Sequence, residues 1–524
     1  MSSDKADEPT DGESVDQAAE ADAPVEIAVE GIGRHSRGAN DALNSSRPGA
    51  SFRRKRAMTG RGLIAAFLVA IVAGGLFVDA KYPHKEPPTQ QGHVIGAAPA
   101  SATSSAWYCP MLYANRSNPN ASAVVVLNPN DTTLSGTATY FPQGGTPVDV
   151  PVNVPAHTRT TLRPGEVVGG EYAAALLRFD GGGAAVEHFN ATPAGLALAP
   201  CATQASAQWY FADGSTQSNT NLQVGLFNPF LEDAIVDVSF VTNDGNVSPD
   251  EFQGVVVPAR SFTSINVGDR VRRRDWISTA ISVRSGRIVS SELQTGTING
   301  VPGTGLTLGA AHPLDTWYLP DGTNTPGNAD QITLFNPNDR ESEASVELKT
   351  DNGSVTPFQL HVPAKGRVAV NIDKEDRVPK DAQYGTVVRV TNGVGIVVQR
   401  TATISAPAPI VGGFFQTADS DVSKRWIVPF NATVGSDDDW VYVMNPSGSP
   451  ADVKVTSVAP GMPPLVSTGS VQAGRRLLIH VDEFAKDESN PGLVIESTQP
   501  VVVGRTLAVN PGTGLSSSLV IPVR

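Results

Sequence analysis

An internal repeat is the feature that most constrains the fold of this chain. Each copy opens with a Trp-led strand and reaches an apolar strand ending in Asn-Pro 19 to 21 residues later. The leading residues are Trp107, Trp209, Trp317 and Trp426, and the asparagines are Asn128, Asn228, Asn336 and Asn445. Successive tryptophans lie 102, 108 and 109 residues apart. This period is too long for a helical solenoid unit or a propeller blade, and it suits a sandwich of short antiparallel strands.

The repeats predict an all-β protein of four tandem immunoglobulin-like antiparallel β-sandwich units. The 50 glycines and 40 prolines fit such a turn-rich chain better than a helical bundle. The predicted units are residues 106–204, 205–314, 315–422 and 423–524.

The landmark residues have structural explanations. Proline cannot donate to a strand ladder, so Asn-Pro ends a strand and leaves the Asn side chain to hydrogen-bond the turn. The leading Trp is expected to anchor each core. Cys109 and Cys201 flank the first unit, and we predict a disulfide that ties its ends together.

The N-terminal quarter predicts a membrane anchor. Residues 1–30 hold ten acids and residues 31–61 hold eight bases, so residues 1–61 are predicted to be a disordered cytoplasmic tail. Residues 62–80 are apolar and long enough for a transmembrane helix. The basic residues before this helix place residues 81–524 outside the cell by the positive-inside rule. Residues 81–105, rich in Pro, Ala, Ser and Thr, are predicted to be a flexible linker.

Two alternatives concern this segment. A cleaved signal peptide would end near Ala80, but a hydrophilic leader of 60 residues is far longer than an ordinary n-region, which favours an uncleaved type II single-pass anchor. Ala66, Ala70 and Gly74 form a small-residue stripe along the span, so self-association of the helix is a further hypothesis.

Catalytic and cofactor motifs are not recognised in the sequence. The searched motifs were the Gly-Xaa-Ser-Xaa-Gly elbow, His-Glu-Xaa-Xaa-His, the Walker loop and Cys-Xaa-Xaa-Cys. We therefore predict no cofactor, metal or catalytic residue, and we interpret His188 as an ordinary strand histidine. Asp213, Asp321 and the run Asp437–Asp439 are interpreted as turn or solvated-loop residues rather than calcium ligands. The net charge of −13 argues against a nucleic-acid partner.

The motifs also resemble a known family. Trp-Tyr-Xaa-Xaa-Asp-Gly and Leu-Phe-Asn-Pro, carried by residues 209–228 and 317–336, are similar to those of actinobacterial envelope proteins whose domain has no known function. The resemblance implies a Gram-positive actinobacterial membrane and no established activity.

These features predict a non-enzymatic scaffold or interaction protein of the cell envelope, with an envelope protein or cell-wall polysaccharide as its partner. An array of glycan-binding modules is the first alternative, and Trp276 and Trp440 are the tryptophans outside the repeat positions that it could use. An enzyme is the second alternative. It would require acids or histidines from two repeats to converge.

Overall fold

The computed structural model describes residues 94–524, except 352, 354, 406–410, 432–437, 487–490 and 509–513. The predicted tail 1–61, the predicted span 62–80 and residues 81–93 of the predicted linker lie outside the described residues. Within the described part of the chain, no helix is long and apolar enough to cross a membrane. Residues 94–524 belong to one compact unit, and its sheets are antiparallel, so the predicted all-β class is confirmed.

The first group of strands precedes residue 201. It comprises β1 (Ser105–Tyr113), β2 (Ser122–Asn128), β3 (Leu134–Pro142), β4 (Val148–Val154), β5 (Thr158–Leu162), helix α1 (Pro164–Val167), β6 (Tyr172–Phe179), β7 (Ala185–Thr192) and β8 (Gly195–Pro200), with a 3-10 turn at Pro119–Ala121. Two four-stranded sheets result, with strand orders β1-β6-β3-β4 and β5-β2-β7-β8.

The second group repeats this order with one extra strand. It comprises β9 (Gln208–Phe211), β10 (Thr220–Asn228), β11 (Ala234–Thr242), β12 (Gly245–Val247), β13 (Val255–Val257), β14 (Ser261–Asn266), β15 (Ile277–Ser285), β16 (Val289–Ile298) and β17 (Val301–Leu308), with 3-10 turns at Asp250–Phe252 and Val267–Asp269. Its sheets are β9-β15-β11, with β12 and β13 both on β11, and β14-β10-β16-β17. Alternate residues of β11 are buried, as expected for a strand with one face on the core.

The third group has the eight-strand pattern of the first. It comprises β18 (Thr316–Leu319), β19 (Asn328–Asn336), β20 (Ser342–Thr350), β21 (Phe358–Val362), β22 (Gly366–Asn371), β23 (Tyr384–Val390), β24 (Val397–Ile404) and β25 (Gly412–Thr417), with a 3-10 turn at Ile372–Lys374. Its sheets are β18-β23-β20-β21 and β22-β19-β24-β25.

The fourth group differs in that one long strand serves both sheets. It comprises β26 (Ser423–Val428), β27 (Asp438–Met444), β28 (Ala451–Val458), β29 (Val466–Val471), β30 (Arg476–His480), helix α2 (Val481–Phe484), β31 (Gly492–Ala508), β32 (Leu515–Leu519) and β33 (Ile521–Pro522). The first half of β31 pairs with β26 and β28, and its second half pairs with β27 and β32.

The last hairpin strands of the four groups contact one another in a closed cycle. β8 contacts β17, β17 contacts β25, β25 contacts β32, and β32 contacts β8. Hydrogen bonds cross the cycle, among them Thr307 to Thr417 at 3.1 Å and Ser517 to the Gln416 side chain at 2.5 Å. The backbones also approach closely, because a Cβ on Gly303 would lie 2.5 Å from the Gly413 carbonyl oxygen. The four strand groups therefore form a packed ring rather than a linear array.

The two ends of the described chain meet, which closes the ring by main-chain pairing. Ala97 donates to the Pro522 carbonyl at 2.8 Å, and Arg524 donates back to Ala97 at 3.1 Å. Val94 and Ala97 are buried, so residues 94–97 pack into the folded unit, whereas most of residues 98–104 are exposed. This differs from the predicted linker 81–105, because the small residues of this stretch fit against the C-terminal strand.

Candidate ligand-binding site

The four leading tryptophans lie in the core. Trp107, Trp209 and Trp426 are fully buried, and Trp317 is 3% exposed. The indoles of Trp209, Trp317 and Trp426 donate hydrogen bonds to the carbonyls of Ile288, Ile396 and Val501, respectively. These side chains are therefore bound within the structure and are not platforms for a ligand.

The four Asn-Pro asparagines make one common set of hydrogen bonds. Asn336 donates to the carbonyls of Arg340 at 2.7 Å and Val362 at 3.1 Å, and it accepts from the amide of Asn338 at 3.0 Å. Asn128, Asn228 and Asn445 make the corresponding three bonds. Each asparagine thus fastens its own turn to the following strand.

The predicted disulfide is present. Cys109 and Cys201 are bonded, with their Cα atoms 4.6 Å apart. His188 lies beside it, with Nδ1 3.5 Å from the Cys201 sulfur, and burial lowers the pKa of this histidine to about 4 although hydrogen bonds with Pro110 and Ala199 oppose the shift. The sulfurs are bonded to each other, so this group is a covalent brace in the core.

The second residue of each Trp-led strand packs on the next group. Tyr108 meets Phe227, and Tyr210 meets Phe335, each pair with ring centroids 6.4 Å apart. The phenylalanines immediately precede Asn228 and Asn336, so Trp-Tyr and Leu-Phe-Asn-Pro are the two sides of one contact between successive groups. At the third contact Tyr318 packs against a cluster containing Met444, which takes the place of phenylalanine.

A cavity of 370 Å³ lies between the third and fourth groups. Its polar lining includes Asp321, Asn328, Gln383 and Asp438, and its aromatic lining includes Trp440, Tyr442 and Phe414. Pockets of this size that combine apolar walls with a few polar groups are characteristic of small-molecule sites. We take this cavity, named the III/IV pocket below, as the candidate functional site.

A buried charged cluster forms the floor of the III/IV pocket. Arg400 bonds Asp321 through one terminal nitrogen and Asp330 through Nε, the latter at 2.8 Å, and the Tyr384 hydroxyl donates to Asp330 at 2.5 Å. Burial raises the pKa of the Asp330 carboxyl although Arg400 opposes the shift. Burial by itself would lower the pKa of Arg400, but the two carboxylates raise it above its usual value. The guanidinium therefore remains charged and holds both acids in place.

A second ionic cluster lies at the side of the same pocket. His480 Nε2 is 2.9 Å from Asp438 and 3.4 Å from Asp482, and its Nδ1 is 3.4 Å from Glu483. The imidazole stacks on Trp440 with ring centroids 4.3 Å apart, and the Trp440 indole donates to Asp438 at 2.7 Å. Burial raises the pKa of Asp482. The cluster orients Trp440 and adds negative charge to the site.

Sequence reasoning located some of these residues but missed their role. Asp321 was interpreted as a turn residue and is 2% exposed, because Arg400 pairs with it from a distant strand. Asp438 and Asp439 belong to the run that we assigned to a solvated loop, yet Asp439 is fully buried; Asp437 lies outside the described residues. The sequence did contain a signal in Trp440, which the other repeats lack at that position.

The fold is thus all-β, with antiparallel sheets whose strand order recurs along the chain. A model of a family of unknown function, DUF5719, matches residues 181–420, so this part of the chain is similar to that family. No curated protein matches the chain.

Solved structures give only distant likenesses. Thermotoga maritima 1070 is 13% identical over 21% of this chain and 95% of its own, with a TM-score of 0.19. The Anabaena sensory rhodopsin transducer is 23% identical over 17% and 88%, with a TM-score of 0.16. A tetra-tandem repeat from the extending region of a large adhesion protein is 11% identical over 80% and 97%, with a TM-score of 0.10. Scores this low give no basis for transferring function.

Proposed function

We propose that this protein is a non-enzymatic binding and scaffold protein of the cell envelope, anchored by residues 62–80 and carrying its folded part outside the cell. The apolar segment, uncharged from Gly62 to Val78 and preceded by Arg53–Arg56, supports the anchor and its orientation. We interpret the four strand groups as four immunoglobulin-like sandwich modules, and the recurring strand order and Asn turn support this interpretation.

The III/IV pocket is the observation that carries the binding proposal. It is large enough for a small organic group, and its charged floor is held rigid by the Arg400 ion pairs, with Asp321 and Arg400 almost fully buried. Preformed pockets of this kind bind without a large ordering cost. The closed ring supports the scaffold part, because it fixes the four strand groups relative to one another.

An enzyme would also need converging acids, and Asp321 and Asp438 from two groups do line the same pocket. The pairing around Arg400 removes Asp330 as a candidate acid or base, because one of its oxygens is bonded to the guanidinium and the other to Tyr384, and it leaves Asp321 one unbonded oxygen. A general acid or base needs an oxygen that can reach the substrate. Glycan binding is supported specifically by Trp440, an aromatic side chain that lines this one pocket, and not by an array of aromatic side chains.

The test is crosslinking of intact membranes that contain the full-length chain, followed by its capture. The control chain lacks residues 81–524 and keeps the anchor. We expect an envelope protein or wall polymer to be captured only with the extracytoplasmic region. Equal capture by both chains would refute the proposal, and turnover of a captured wall polymer by the purified protein would refute its non-enzymatic part.

A further inference from the structure

An aspartate lies four residues after the leading Trp in the second and third groups, as Asp213 and Asp321. Both carboxylate oxygens of Asp213 are hydrogen-bonded. Asp213 Oδ1 accepts from Arg367 at 2.6 Å, and its Oδ2 accepts from Gln331 at 2.9 Å and from Thr401 at 2.6 Å. The side chain is 8% exposed. Asp213 is therefore a saturated structural carboxylate in the contact between the second and third groups.

The equivalent carboxylate in the III/IV pocket is only half bonded. Asp321 Oδ2 accepts from Arg400 and from Thr506 at 3.2 Å. Its Oδ1 has no hydrogen-bond partner among the described residues, although the side chain is only 3% exposed. A buried carboxylate oxygen without a donor is costly, and a ligand that supplies the donor removes that cost.

The donor that Arg367 supplies to Oδ1 of Asp213 is missing at Asp321, and so is the donor that Gln331 supplies to the other oxygen of Asp213. Both positions count from landmarks shared by the repeats: the residue five before the Asn-Pro asparagine is Gln331 in the third group and Trp440 in the fourth. The indole donates to Asp438 and does not reach Asp321. Arg476 occupies the place of Arg367 in the strand after the turn, but its guanidinium is turned to Asp351, at 2.8 and 3.0 Å.

The same replacements accompany a larger and more acidic cavity. The cavity at Asp213 has 200 Å³ and the III/IV pocket has 370 Å³. Three carboxylates and one guanidinium line the III/IV pocket, those of Asp321, Asp330, Asp438 and Arg400. One wall is aliphatic and aromatic, formed by Ala402, Ile404, Phe414, Ala508 and Leu515. A ligand that fits has a positively charged donor and an apolar body.

We propose that the III/IV pocket binds a primary ammonium group on an aliphatic chain, of the kind carried by a lysine side chain, with the ammonium donating to Asp321 Oδ1. The Trp440 ring, which lines the pocket beside His480, adds an aromatic surface, and aromatic rings attract organic cations. The aliphatic part of the ligand lies against Phe414 and its apolar neighbours. This inference rests on the proposed binding function and specifies its ligand.

Calorimetric titration of the full-length protein in detergent micelles tests the proposal. The probe is the methylamide of Nα-acetyl-lysine, and its Nε-acetylated form is the control ligand that lacks the charge. We expect binding of the amine and at least a tenfold weaker affinity for the acetylated form. Equal affinity for the two would overturn the proposal, and so would tighter binding of a neutral methyl pyranoside.

Asp321→Asn is the decisive variant, because it removes the charge that pairs with the ammonium group. It should reduce amine affinity at least tenfold. Asp213→Asn, the same change at the saturated site, is the matched control and should leave affinity unchanged. An unchanged affinity in folded Asp321→Asn, verified by its thermal transition, would overturn the proposal. If the amine fails to bind while the extracytoplasmic region still captures envelope partners, this inference fails and the proposed function stands.

Discussion

Replacement of one Asn-Pro asparagine by alanine should destabilise its strand group measurably. Asn336 is fully buried, and its side chain makes three hydrogen bonds with main-chain groups, those of Arg340, Val362 and Asn338. A hydrogen bond contributes about 1 kcal/mol net, so Asn336→Ala should lower the free energy of unfolding by about 3 kcal/mol. The two carbonyls and the amide would lose their partners inside the turn, which makes the loss larger than that of a surface polar contact.

Urea unfolding of the full-length protein, followed by tryptophan fluorescence, measures this loss. The control is Asn120→Ala, which removes the same side chain from an exposed position. Because Asn128, Asn228 and Asn445 make the same bonds, their alanine variants should lose similar amounts. A loss for Asn336→Ala no larger than for the Asn120 control would refute the reasoning that these asparagines hold the turns.

Three further perturbations test the core. Replacing Cys109 and Cys201 together by alanine removes a bridge between residues 92 apart and should cost about 4.6 kcal/mol in the chain-entropy model. The expected result is a lower melting temperature that reductant no longer changes. Burial, with a smaller contribution from the Asp213 charge, raises the pKa of Glu292 well above its usual value, so the folded state keeps a proton that the unfolded chain releases. Stability then falls as pH rises between the usual and the raised pKa, and Glu292→Gln should raise the melting temperature more at pH 8 than at pH 4; a gain independent of pH would contradict this. Arg400→Met leaves two buried acids without their cationic partner and should lower the free energy of unfolding in urea by about 3–5 kcal/mol. A decrease below about 1 kcal/mol would show that these acids do not need the guanidinium.

The repeat and its turns could be read from the sequence because they depend on local chemistry. Asn336 precedes a proline that ends the strand, and its partners lie four and 26 residues away, within one strand group. The Cys109–Cys201 pairing was equally accessible, since these are the only two cysteines. Strand class, turn positions and the disulfide follow from residue types at fixed spacings.

The ring and the III/IV pocket could not be read in this way. Spacing along the chain does not say that the last hairpin strands meet in a cycle, or that Ala97 pairs with the C-terminal strand. The same holds for Asp321, whose sequence context is that of an ordinary Asp-Gly turn. It becomes a buried acid only because Arg400, 79 residues away, bonds it.

The sequence by itself thus determined the strands, the turns and the number of Trp-led repeats, because each depends on residues close together or on a period along the chain. Only the tertiary structure decided which repeats touch and which polar groups are left without a partner. Asp213 and Asp321 follow the same motif, yet one is saturated and the other is open. The difference lies in side chains contributed by the next strand group, because Arg367 bonds Oδ1 of Asp213 whereas Arg476, at the equivalent position, is turned to Asp351.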